Sequence, residues 1–104
     1  EIEYVSMGGI VPIKPEIIIY PAYPNPFNAK TSVQYFIPEQ LGIIKPLIFV
    51  YDVRGHEIEK HQVGLLNPGM HEFRWNAETL SSGMYFIQLS FENTSFSQKV
   101  QLIK

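Results

Sequence analysis

The sequence has no cysteine, so neither a disulfide framework nor a thiolate metal site can hold the fold together. It also has little that favours helix. Eight prolines and seven glycines are spread through 104 residues and leave few stretches long enough for an uninterrupted helix. No apolar run approaches the ~20 residues of a membrane-spanning helix, and the longest are strand-sized, which argues against membrane insertion. Charged residues make only 17% of the chain and leave a formal net charge of -2. With that slight acidity, counterion release gives no reason to bind nucleic acid or an anionic membrane. The length suits one domain, because a second core would leave each half too small to stand without metals or disulfides.

Between the breaks lie short runs rich in Ile, Val, Tyr, Phe and Thr, residues that suit a pleated, half-buried surface. Residues 1–15, with Met7-Gly8-Gly9, Pro12 and Pro15, read as a linker from a preceding domain, and residues 16–104 as the folded unit. No secretory signal stands ahead of Glu1, so the chain reads as a piece of a larger protein. Strands are expected at Glu16–Tyr20, Thr31–Ile37, Pro46–Asp52, Glu57–Leu65, Met70–Trp75, Met84–Phe91 and Phe96–Ile103. The fourth alternates poorly. Core parity falls on Tyr35, Phe73, Trp75, Tyr85, Ile87 and Leu89, and in the last strand on Val100 and Leu102. Seven short strands with regular turn signals describe an all-β fold, an antiparallel β-sandwich.

Two turns carry a mechanism. In Asp52-Val53-Arg54-Gly55, the Asp carboxylate accepts nearby backbone N–H groups and the glycine supplies a left-handed residue, which predicts a tight hairpin with a bulge. In Pro24-Asn25-Pro26-Phe27-Asn28, Pro26 fixes φ while Asn25 and Asn28 can cap backbone groups on either side. Together with Pro21 these prolines make a rigid connection, and Phe27 is expected to plug one end of the sandwich. A recognition surface is the sharper reading of this segment; an ordinary crossover is the plainer one.

Catalytic and metal chemistry find no support, and no cofactor is expected. His56, His61 and His71 have no compact metal spacing and no carboxylate cluster beside them. Neither Ser81-Ser82-Gly83 nor Ser95-Phe96-Ser97 has the glycine-flanked serine of a nucleophile elbow. Glu57 and Glu59 are two apart, which puts them on one strand face among Lys60, His61 and Gln62, as on a solvated edge. Asn93-Thr94-Ser95 fits the glycosylation pattern but reads as turn chemistry. Phe36, Leu47, Phe49 and Phe86 fall on the faces opposite the core, too many large apolar groups for a free surface. Candidate partners for them are a preceding domain of the parent protein or a second copy of the chain.

A family resemblance joins these pieces. Tyr23-Pro24-Asn25-Pro26-Phe27-Asn28 with Thr31 and Val33 resembles the opening of the C-terminal sorting domain of type IX secretion. In order there follow Val50-Tyr51-Asp52 with Gly55, then Gly69, His71, Phe73 and Trp75, then Ser82-Gly83-Met84-Tyr85-Phe86, and a tail Lys99-Val100-Gln101-Leu102-Ile103-Lys104. Each motif alone is weak; five in the right order are specific. The pattern also resembles the Ig-like domain of flagellar hook-capping proteins, and a chain ending at Lys104 favours sorting. Asn76-Ala77 stands where the family has Asp/Asn-Gly, a departure expected to touch only the turn. The resemblance implies an immunoglobulin-like sandwich that is itself non-catalytic. It would direct a larger secreted protein across the outer membrane of a Gram-negative-type bacterium to the surface or medium. Pro24, Asn25, Pro26, Phe27, Asn28, Lys99, Val100, Leu102 and Lys104 are the candidate recognition residues. The competing reading is an accessory carbohydrate-binding or structural Ig-like module of a secreted hydrolase, which would need a row of exposed aromatic rings.

Overall fold

Apolar alternation with a period of two lets a strand bury one face and wet the other. The computed structural model describes residues 15–104, and in it that pattern gives seven strands. They are β1 Ile18–Ile19, β2 Lys30–Ile37, β3 Leu47–Asp52, β4 Glu57–Gln62, β5 Gly69–Asn76, β6 Gly83–Phe91 and β7 Thr94–Leu102. Apart from Pro15, the linker expected over residues 1–15 lies outside the described residues. One sheet has the order β1-β2-β5 and the other β4-β3-β6-β7, with neighbouring strands antiparallel. Packed face to face, they form an immunoglobulin-like sandwich.

Compared with the constant-type immunoglobulin arrangement, the fourth strand has moved to the other sheet. The cause is the hairpin before it. Asp52 Oδ1 accepts the N–H groups of Arg54 (2.9 Å) and His56 (3.0 Å), while Gly55 takes φ +84°. So tight a turn leaves β4 only β3 to pair with. These donors, His56 N–H foremost, hold the Asp52 carboxyl below the usual carboxylate range.

The residues given core parity by the sequence are buried: Tyr35, Phe73, Trp75, Tyr85, Ile87 and Leu89, together with Val100 and Leu102. Other expectations change. β1 keeps only two residues of the five expected; Tyr20 N–H still donates to Gln34 O, but Pro21 has no N–H with which to continue the ladder. β4 stops at Gln62, since Gly64 at φ +80° breaks the pleat; Leu66 then pairs with Ile44 by itself.

The bulge opposite Val50/Tyr51 pairs Glu59 with Val50 and Glu57 with Tyr51. Ile58 is the extra residue, so Glu57 and Glu59 face opposite sides rather than one. Phe36 lies on the outer face of the three-stranded sheet, in a row with Ile18 and Met70, while Leu47, Phe49 and Phe86 lie outside the other sheet. The four therefore do not make one patch. All four are half-buried, and Phe49 stacks on Tyr51 at 5.9 Å beneath Lys60 Nζ. The Ala77 departure reaches further than the turn: Ala77 is fully buried and its N–H donates to Ala29 O at 2.7 Å.

Candidate recognition surface

A proline cannot donate to a sheet ladder, so a segment with Pro21, Pro24 and Pro26 cannot continue β1 as an ordinary strand. The chain instead changes sheets. It leaves the edge of the three-stranded sheet after Tyr23 and reaches the edge of the four-stranded sheet at Phe27, which pairs in parallel with Leu102 of β7. Tyr23 and Ser32 exchange backbone hydrogen bonds on the way, and Thr31 Oγ1 donates to Pro24 O at 2.6 Å. The Tyr23-Pro24 and Asn25-Pro26 peptide bonds are cis.

Asn25 does not cap its own neighbourhood, as the sequence suggested. Its side chain acts as a short piece of strand along β7: Nδ2 donates to Lys99 O (3.0 Å), and Gln101 N–H donates to Oδ1 (2.9 Å). Phe27 N–H then donates to Gln101 O (2.9 Å), and Ile103 N–H to Phe27 O (2.8 Å). The Phe27 ring is buried against Trp75 at 5.6 Å, so it plugs the sandwich as expected. Asn28 is exposed.

The tail is held from the other side. Lys104 N–H donates to Ser82 Oγ at 3.0 Å, and Lys104 Nζ donates to Glu78 O. Tyr85 O–H donates to Ser81 O, next to Ser82, at 2.6 Å and fixes that loop. Two stretches about 75 residues apart in sequence thus meet on one surface. Of the nine candidate residues, Phe27, Val100 and Leu102 are buried and shape the surface. Pro24, Asn25, Pro26, Asn28, Lys99 and Lys104 are the exposed ones.

The sequence reading missed a second polar cluster. Glu59, read as solvated, accepts the Trp75 indole N–H (3.1 Å) on Oε2 and His61 Nε2–H (2.7 Å) on Oε1. His61 lies edge-on to Phe73 at 4.9 Å. A buried tryptophan with core parity needs an acceptor, and that requirement was the available signal. His71 stacks on Tyr35 at 5.6 Å, and its Nε2–H donates to Asn67 O at 2.7 Å. Trp75 is only 2% exposed, so the single tryptophan offers no platform for a sugar ring.

The sheets, the sheet-switching segment and the anchored tail define a class: an Ig-like β-sandwich domain with its two motif-bearing segments joined in one surface. The family model described as "Secretion system C-terminal sorting domain" matches residues 21–104, and the chain belongs to that family. It is a sorting domain of type IX secretion, a non-catalytic signal domain carried by a secreted or cell-surface protein. No curated protein matches the chain.

Proposed function

We propose that the secretion machinery at the outer membrane of a Gram-negative-type bacterium reads the joint surface of Pro24–Asn28 and the β7 tail. Asn25, Asn28, Lys99 and Lys104 supply its accessible groups, while Phe27, Val100 and Leu102 fix its shape. The observation that supports this reading is the pair of hydrogen bonds from the Asn25 side chain to Lys99 and Gln101, which makes one surface of the first and last motifs. A preceding domain of the parent protein would be the passenger.

The test is a periplasmic reporter carrying residues 17–104 at its C-terminus, expressed in a bacterium with type IX machinery. The reporter should reach the surface or medium. Lys99→Ala with Lys104→Ala should change stability by under ~0.5 kcal/mol, as exposed charges usually do, yet retain the reporter in the periplasm. A folded double variant exported as well as the parent would show that the lysines are not read.

A further inference from the structure

A strand at the edge of a sheet offers unpaired backbone groups to any extended chain, and proteins guard such edges with charge, bulges, proline or cover. Here β4 carries a bulge together with Glu57, Glu59, Lys60 and His61. β5 carries Glu72 and Arg74, and β1 is only two residues long. The C-terminal half of β7 is covered by Asn25 and Phe27. Its N-terminal half, Thr94-Ser95-Phe96-Ser97-Gln98, has no charge, no proline and no bulge.

The direction of its backbone groups follows from the covered half. Lys99 O and both groups of Gln101 point away from β6, toward Asn25 and Phe27. The β6–β7 register runs unbroken from Gly83↔Leu102 to Phe91↔Thr94, so the two-residue period turns the N–H and C=O of Ser95 and Ser97 to the same open side. No described residue pairs with them. Beside this edge is a cavity of about 60 Å³ walled by Ile17, Leu41, Phe91 and Phe96. One water needs only ~10–15 Å³, so the space admits a small aliphatic side chain. Glu16 and Glu92 stand at its rim, both exposed and neither ion-paired with a described residue.

We propose that the N-terminal half of β7 is a strand-addition site for a partner polypeptide. The partner is an extended segment that bonds to the backbone of Ser95 and Ser97. It places a valine-like side chain in the Ile17–Phe96 cavity and a neighbouring lysine or arginine against Glu16 and Glu92. Backbone bonds give such a site its affinity, and the cavity and carboxylates give it selectivity.

The probe is a blocked heptapeptide alternating valine and threonine with one flanking lysine, titrated into the 104-residue chain and followed by amide and methyl NMR. Shifts are expected at Ser95, Ser97, Ile17 and Leu41, and none at Asn25. Ser97→Pro removes an outward N–H while leaving the β6 ladder intact, and should weaken binding at least ~10-fold at an unchanged fold. Should that variant unfold, Ser95→Lys with Ser97→Lys serves as the guarded edge and should give the same loss. Glu16→Gln with Glu92→Gln should weaken the lysine peptide and not a lysine-free one. Three results would overturn the proposal. These are no shift at millimolar peptide, slow hydrogen exchange of Ser95 and Ser97 in the free chain because its own residues cover them, or a β7-mediated dimer that excludes the peptide.

Discussion

The two long sides of the sandwich are closed by different materials. On the β4–β5 side the closure consists of side chains: Glu59 reaches across to the Trp75 indole, and His61 leans on Phe73. On the β1–β7 side it consists of main chain and a strand-mimicking amide, with Asn25 and Phe27 laid along β7. The first joins residues 16 and 12 apart in sequence, the second residues 74 and 76 apart. A side-chain closure can be trimmed one residue at a time. A main-chain closure depends on two remote segments arriving together.

Trp75 belongs to both sides, touching Phe27 on one and Glu59 on the other. Trp75→Ala should therefore show the largest effect, a loss of ~3–5 kcal/mol in urea unfolding. A variant that melts within a degree or two of the parent would show that the two sides are not coupled through this ring. Glu59→Ala should cost ~1–3 kcal/mol because it leaves the buried indole N–H without an acceptor, and Glu59→Gln should recover most of that. Asn25→Ala removes two neutral hydrogen bonds at an exposed edge, for about 1–2 kcal/mol. It should speed hydrogen exchange at Gln101 while leaving the Trp75 indole proton protected. If both sites loosen together, the sides are one unit rather than two.

The smallest effect is at the Asp52 turn, whose hydrogen bonds belong to neither closure. Its carboxyl is depressed by the His56 and Arg54 N–H bonds. The stability it adds is complete above the ordinary carboxylate pKa and is lost as pH falls through the lowered folded value. Exchange at the Arg54 and His56 amides should accelerate only in that acidic window, with Gln101 unchanged.

Inward-facing residues were legible because parity is local: Tyr85, Ile87 and Leu89 announce a buried face with no knowledge of their partners. The Asp52–Gly55 hairpin was legible for the same reason, since its chemistry is contained in four residues. Asn25 was misread because its partners lie at the far end of the chain, where no local pattern can point. Glu59 was misread because one bulge residue, Ile58, turns it to the side opposite Glu57. The motif-bearing segments of the candidate surface could be named from the sequence. Their meeting could not, because it depends on a change of sheet that prolines permit but do not specify.

That meeting makes the surface a test of completeness. Val100 and Leu102 lie in the core, and residues 99, 101 and 103 bind the segment around Asn25 and Phe27. A chain that stops short of Lys99 lacks the far half of every one of these contacts. The first motif, made some 75 residues earlier, then keeps Thr31 and Trp75 to lie against but has no strand beside it. Contacts so far apart in sequence form late. Their arrival reports that residues 99–103 have been made and folded against the first motif, so a machine that recognised this surface would pass over domains cut before them or left unfolded without a separate inspection step.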